Sequence, residues 1–292
     1  MSSLPEFGKR TYVMGILNVT PDSFSGDGLL TTADSLKAAL AQAEEFIAAG
    51  ADILDIGGES TRPGSTPVSE AEEIARVIPV IKALRSNGVT ILISVDTCKS
   101  AVALAALEAG ADWINDIWGF HADPRMPSVA AHWECPVVLM HNRSRPNQVE
   151  LQERIGASYL GAHYQNLISD VKEELMRSVD LARKAGVKEA NIILDPGIGF
   201  GKTVDQNLEL INKLDEIKAL GFPVLLGPSR KSFIGNTLDL PPSERLEGTL
   251  AACAVGIVRG ADILRVHDVQ QVVRLARMTD AIVRRPTKID TN

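Results

Sequence analysis

The amino-acid sequence predicts an α/β fold of one kind, a single (β/α)8 TIM barrel over residues 12–284 with its active site at the C-terminal ends of the strands. Three observations lead there. Short apolar runs rich in Ile, Val and Leu recur eight times, each reading as a strand buried on both faces. Segments with apolar residues at helical spacing lie between them. A Gly-Ala-Asp triplet precedes an apolar run three times, at Gly50-Ala51-Asp52, Gly110-Ala111-Asp112 and Gly260-Ala261-Asp262. Glycine suits the left-handed position just past a helix end, so each triplet marks a helix-to-strand junction.

Taken in order, the strands are expected at 12–19, 52–58, 89–96, 112–117, 136–141, 191–195, 223–228 and 262–267. Helical spacing is clearest over 34–49 (Leu36, Leu40, Ala43, Ile47), 69–85 (Ile74, Val77, Ile81, Leu84), 163–185 (Leu167, Val171, Leu175, Val179), 204–220 (Leu208, Ile211, Leu214, Ile217) and 269–283 (Val269, Val272, Val273, Ala276). Buried strands alternating with helices require a parallel sheet. A doubly wound open sheet would carry a Gly-x-Gly-x-x-Gly turn after its first strand, and none is present. Three connections are long: 19–33, 59–68, and Asn142 to about Gly161, the last with little apolar material. Residues 1–11 and 285–292 read as tails.

Composition narrows the function. A formal net charge of −7 argues against a nucleic-acid surface, which needs a basic stripe. No apolar run is long enough to cross a bilayer, and Met1 to Lys9 lacks a signal-peptide core, so a cytoplasmic enzyme is expected. Cys98, Cys135 and Cys253 match no zinc spacing and read as small core residues.

Barrel enzymes keep their chemistry where strands end, and polar residues collect there. The first strand ends in Asn18; the second in Asp55, then Glu59, Ser60, Thr61 and Arg62; the third in Asp96 and Thr97; the fourth in Asn115 and Asp116. The fifth gives His141, Asn142 and Arg143, and the sixth gives Asp195 before Pro196-Gly-Ile-Gly-Phe-Gly-Lys202. The seventh gives Ser229, Arg230 and Lys231, and the eighth Arg265, His267 and Asp268. Each has an ordinary structural role available: Asp96 as a helix cap, Asp55 as a buried paired acid, His267 as a satisfied histidine. All eight strands ending this way favours a site.

The residue types suggest ligands. Asp96, Asn115 and Asp195 offer carboxylate and amide groups to a flat heterocycle with a guanidine-like N–H edge. Arg62, Arg265 and His267, with Asn18, suit a phosphate or diphosphate. Asn18 can also serve Mg²⁺, which keeps most of its waters and takes few protein ligands. Lys231 can reach a ring from one side, with Ser232 at the following helix start available to a carboxylate. The Gly-rich stretch ending in Lys202 lacks P-loop spacing; its glycines are read as allowing close backbone approach to a flat ligand.

Eight motifs, in order and on the matching strands, carry a resemblance that covers Tyr12 to about Arg284: Gly15-Ile-Leu-Asn-Val-Thr-Pro-Asp-Ser-Phe-Ser, Asp55-Ile-Gly-Gly-Glu-Ser-Thr-Arg-Pro-Gly, Ser94-Val-Asp-Thr, Asn115-Asp-Ile, Leu139-Met-His, Asp195-Pro-Gly-Ile-Gly-Phe-Gly-Lys, Ser229-Arg-Lys-Ser and Arg265-Val-His-Asp. The sequence resembles the dihydropteroate synthase family of folate biosynthesis. The resemblance implies a (β/α)8 barrel, a homodimer, and a transferase joining p-aminobenzoate to 6-hydroxymethyl-7,8-dihydropterin diphosphate with Mg²⁺. It implies that Asp96, Asn115, Asp195 and Lys231 hold the pterin. Asn18, Thr61, Arg62, Arg265 and His267 would hold the diphosphate, with Asn18 also on Mg²⁺. Thr61, Pro63, Phe200 and Ser232 would border p-aminobenzoate, where sulfonamides compete. Asp195, Lys231, Arg265, His267 and Arg62 are the expected catalytic set.

Two loop details depart from the family: Asn142-Arg143-Ser144 follows His141 where many members have Met or Gln and then Gly, and Ser25-Gly26-Asp27-Gly28 replaces the commoner Ser-Asp-Gly-Gly. Thr20 to Gly28 is expected to form a lid. Two rival readings remain at this point. A methyltetrahydrofolate-dependent methyltransferase on the same barrel should lack the first two long loops and Arg265-Val-His, and a non-catalytic pterin-binding protein should have lost Lys231, Asp195 or Arg62; all are present.

Overall fold

A computed structural model of the chain describes residues 4–20, 32–60, 64–145, 148–152 and 154–284. The strands are β1 (Tyr12–Asn18), β2 (Ile53–Gly57), β3 (Leu92–Asp96), β4 (Trp113–Asp116), β5 (Val137–Met140), β6 (Val149–Gln152), β7 (Gly156–Tyr159), β8 (Ile192–Asp195), β9 (Leu225–Leu226) and β10 (Ile263–Val266). The helices are α1 (Thr32–Ala49), α2 (Glu70–Ser86), α3 (Ser100–Glu108), α4 (Met126–Trp133), α5 (Leu167–Ala185), α6 (Val204–Asn212), α7 (Leu214–Lys218), α8 (Ser232–Leu238), α9 (Leu246–Val258) and α10 (Val269–Val283). Eight strands pair in parallel in the order β8-β5-β4-β3-β2-β1-β10-β9. A parallel bridge between Leu194 and Val224 joins the two ends, and Leu194 N–H donates to the Pro223 carbonyl at 2.9 Å. The sheet is therefore a ring, in chain order, as expected.

Three expectations need correction. β9 covers 225–226 rather than 223–228, because Pro223 and Pro228 flank it and neither can donate to a neighbour. The helix expected over 204–220 breaks at Lys213 (φ −111°, ψ 27°), which turns Leu214 and Ile217 into the core at 0% exposure. The connection after Asn142 contains an antiparallel hairpin, β6 on β7, where no element was expected.

Period-two alternation divides each strand. Val13, Leu17, Leu54, Ile56, Ile93, Val95, Ile114, Val137, Leu139, Ile192, Leu194, Leu264 and Val266 belong to the large cluster shared with the helices. Tyr12, Met14, Ile53, Trp113, Val138, Ile193, Leu225 and Ile263 form a second cluster inside the ring. Leu4 and Phe7 pack against that inner cluster, so part of the segment read as a tail lies across the base of the barrel.

The three Gly-Ala-Asp junctions repeat one arrangement. Gly50, Gly110 and Gly260 have φ of +95°, +110° and +99°, the left-handed region. Each aspartate then accepts the backbone N–H that opens the neighbouring earlier strand: Asp52 from Val13 at 2.9 Å, Asp112 from Ile93 at 2.8 Å and Asp262 from Val224 at 2.8 Å. Each also holds a cation, Arg10, Arg85 and Lys218 respectively.

Candidate active site

The inward face changes character two residues along five of the strands. Ile53 leads to Asp55, Trp113 to Asn115, Ile193 to Asp195 and Ile263 to Arg265, while β3 runs Ser94 to Asp96. Polar groups so placed converge at the C-terminal mouth. Arg265 Nε donates to Asp55 Oδ2 and its Nη2 to Asp96 Oδ2, both at 2.5 Å, and Asn115 Nδ2 donates to Asp55 Oδ2 at 3.0 Å. Asp55, Asp96, Asn115 and Asp195 are 0%, 7%, 2% and 5% exposed. Two acids thus share one guanidinium in a nearly dry site. Burial works against Arg265's charge, but Asp55 and Asp96 outweigh it and its pKa rises. Burial raises the Asp96 carboxyl against Arg265's pull. Asp195 is pushed up to about 6 by burial, with the Gly197 N–H (2.7 Å to its Oδ1) pulling the other way. Among the described residues Asp55 Oδ1 is buried with no hydrogen-bond partner, a costly condition for a carboxylate oxygen.

Above this floor opens a cavity of about 480 Å³ whose wall includes Asn18, Lys231, Ser232, Arg265 and His267. Ser229 Oγ lies 3.0 Å from His267 Nδ1 and accepts the His267 backbone N–H at 3.2 Å, which fixes the ring's orientation. Lys231 Nζ sits 4.1 Å from the centroid of Phe200. Gly199 (φ +83°) runs under the Lys231 stem, where an added Cβ would lie 3.0 Å from Cδ. The close approach that glycine permits here is to Lys231.

Other strand-end residues turn away from the cavity. Lys202 reaches back, donating from Nζ to Gly197 O (2.9 Å) and Phe200 O (3.1 Å), with His141 Nδ1 at 3.0 Å. Burial draws Lys202 down to about 7; burial and Lys202 together draw His141 down to about 4. Together they brace the glycine-rich loop. Asp116 accepts the N–H groups of Trp118 and Phe120 and serves that turn. Arg143 forks onto Glu174, and Glu59 pairs with Lys99. Thr61, Arg62 and Pro63, and the lid expected over 20–28 beyond Thr20, lie outside the described residues.

Sequence reasoning placed Asp55 at the second strand's end without giving it a ligand, and it left Tyr159 and Arg245 out of the site. Asp55 was visible in the two-residue spacing from Ile53. Tyr159 and Arg245, which also border the cavity, sit in no motif.

The model for the family described as "Pterin binding enzyme" matches residues 14–267. The chain belongs to the pterin-binding enzyme family. It is 52% identical over 279 residues to the dihydropteroate synthase of Clostridium beijerinckii, covering 95% of this chain and 96% of that one. Among solved structures it is similar to a dihydropteroate synthase from Clostridium difficile in the presence of pteroic acid, with TM-score 0.87, 46% identity and coverage of 97% and 100%. It is also similar to the Xanthomonas albilineans dihydropteroate synthase with 4-aminobenzoic acid, with TM-score 0.84, 40% identity and coverage of 95% and 94%. As a family member, the chain has the fold of a pterin-binding barrel.

Proposed function

We propose that this protein is a transferase catalysing the dihydropteroate synthase reaction: 6-hydroxymethyl-7,8-dihydropterin diphosphate and p-aminobenzoate give 7,8-dihydropteroate and diphosphate. The observation that carries the reading is the buried floor. Asp55 and Asp96 already engage a planar guanidinium, and a pterin presents a similar N–H edge. Asn115 and Asp195 are similarly buried, and the charge of Lys231 acts on both Asp96 and Asp195. Relatives and structural neighbours bearing the dihydropteroate synthase name favour this over a methyltransferase or a non-catalytic binder.

In this reading Asp96, Asn115, Asp195 and Lys231 hold the pterin, while Asn18, Arg265 and His267, with Thr61 and Arg62, hold the diphosphate. Phe200, Ser232, Thr61 and Pro63 border p-aminobenzoate. An arylamine is a neutral nucleophile and needs no strong base. The difficult event is cleavage of the methylene C–O bond, whose electron pair leaves with the diphosphate. Arg265, His267 and Arg62 stabilise that charge, and ionised Asp195 faces the cation left on the pterin. The arylamine nitrogen then forms the C–N bond, and its proton passes to the released anion. Arg265 joins both halves, since the same side chain holds the floor and lines the cavity.

Magnesium belongs to the proposal as an ion carried in with its diphosphate. Asn18 offers one neutral amide oxygen on the cavity wall, and among the described residues no group of three His, Cys, Asp or Glu could hold a metal. That fits a weakly held Mg²⁺ with most ligands from water and substrate; when bound it would neutralise the leaving group. A homodimer is also proposed, supported by exposed Val255 and Val258 on α9 beside Met278 and Ile282 on α10. A cytoplasmic setting accords with three unpaired cysteines.

The test mixes pure protein, Mg²⁺, the pterin diphosphate and p-aminobenzoate and follows dihydropteroate by chromatography. Pterin binding without product would overturn the reading in favour of a binder.

A further inference from the structure

We infer that the β6–β7 hairpin is the outer wall of the arylamine end of the cavity, with Tyr159 positioning Phe200 and Arg245 positioning the hairpin. The inference rests on the reading of Phe200 as a p-aminobenzoate contact.

The hairpin is half-exposed and offers little core of its own; Leu151 is 80% exposed. It is held from outside at both ends. At its tip, Arg245 Nη2 donates to the Ile155 carbonyl at 2.6 Å. The same guanidinium donates from Nη1 to Arg230 O at 3.0 Å and from Nε to Leu240 O at 3.1 Å. Arg245 is only 3% exposed, and among the described residues its hydrogen-bond partners are carbonyls from three separate segments, with no carboxylate among them. Burying a cation on neutral acceptors is costly, and burial lowers its pKa. The one guanidinium ties those three segments together. One of them, Arg230, adjoins Lys231.

At the base, Ala162 N–H and the Tyr164 hydroxyl both donate to Gly201 O, at 2.9 and 3.2 Å. Gly161 passes so near Thr203 that a Cβ would lie 2.4 Å from its Cγ2. The hairpin's exit is thus bound to the glycine-rich loop. Between these anchors the Tyr159 ring stacks on Phe200, with centroids 6.1 Å apart and planes at 29°. Ile155, Gly156, Ala157 and Tyr159 share the cavity wall with Lys231 and Ser232, while Asp96, Asn115 and Asp195 lie buried in the floor. The stack of Tyr159 on Phe200, and its place beside Lys231 and Ser232, set the hairpin against the residues assigned to the arylamine, on a wall that also carries Asn18, Arg265 and His267.

The test is steady-state kinetics on the full chain, varying each substrate in turn. Tyr159→Ala should raise KM for p-aminobenzoate about five- to tenfold, the worth of a lost aromatic pair. KM for the pterin diphosphate and kcat should each move less than about threefold on the same scale. Tyr159→Phe, which keeps the ring, should restore the wild-type KM. Arg245→Lys should give the same arylamine-selective rise; if it does not fold, the two Tyr159 variants decide alone. An unchanged KM for p-aminobenzoate in Tyr159→Ala, equal rises for both substrates, or no rescue by Tyr159→Phe would overturn the inference. Absence of product from the wild-type chain would instead overturn the functional reading, and the inference with it.

Discussion

The two ends of the barrel interior are lined by the same face of the same strands, and they differ in nearly everything else. At the base, Tyr12, Met14, Trp113, Ile193 and Ile263 fill the ring with apolar volume, closed from outside by Leu4 and Phe7. At the mouth, two residues further on, Asp55, Asp96, Asn115 and Asp195 are just as buried but charged or polar, and the half-buried Arg265 joins them. Burial stabilises the base at about 25 cal/mol per Å² of apolar surface removed from water. At the mouth it opposes folding unless every charge finds a partner; Asp55 pairs with Arg265 through Oδ2, while its Oδ1 has no hydrogen-bond partner among the described residues. One end supplies stability, and the other consumes some of it to hold a site ready.

Substitutions at each end should separate these roles. Trp113→Ala at the base should cost about 3–5 kcal/mol in denaturant unfolding, through lost burial and the cavity left behind. Substrate KM values of the folded fraction should stay near wild type, and a selective KM change would blur the contrast. Asp195→Asn at the mouth should reverse the pattern. Turnover should fall about 100- to 1000-fold, while the melting temperature holds or rises, because a neutral amide keeps the Gly197 hydrogen bond without a buried charge. Normal turnover in this variant would remove the assigned role of Asp195.

The same residue gives a pH test. Its folded pKa, about 6, lies above the unfolded value of 3.8. Between those values the folded chain holds a proton that the unfolded chain has released, so this group's contribution to stability falls as pH rises through about 6. Activity should run the other way, declining below pH 6 as Asp195 is protonated. Asp195→Asn should lose the Asp195 part of that acid limb from its residual activity, the titration of Asp96, which burial also raises, and of the substrate being common to both proteins. The smallest effect should come from Phe7→Ala, which removes an edge contact to Tyr12 at 5.8 Å and should cost about 1 kcal/mol without altering KM.

The eight barrel strands were legible because a strand covered on both faces must be apolar throughout, and the Gly-Ala-Asp junctions announced where helices stop. Most of the mouth was legible for a related reason: a carboxylate or amide ending such a run is conspicuous. Asp55 was legible as a strand-end, paired acid, and Ile53-Leu54-Asp55 carries the same alternation as Ile193-Leu194-Asp195. The hairpin was not legible locally. Its strands are half-exposed, and its tip is fixed by Arg245, 90 positions away from Ile155. The break at Lys213 was hidden because Leu214 and Ile217 continue the helical spacing; only packing reveals that they turn inward together.

The aspartates of the three junctions have a consequence for how the barrel assembles. Each reaches from the start of one strand to the strand beside it, tying β1 to β2, β3 to β4 and β9 to β10 across separations of 39, 19 and 38 residues. These are local links by the standard of a ring whose first and last strands must meet. Each βαβ unit therefore contains the means of setting its own alignment before closure, which shortens the search and suits units that form cooperatively. A slip of one residue within a unit would exchange its two faces. The chain between β5 and β8 has Gly186-Val187-Lys188 in place of such a junction, and that is the connection into which the hairpin is inserted. The barrel accommodates its added segment between two self-aligning units rather than within one.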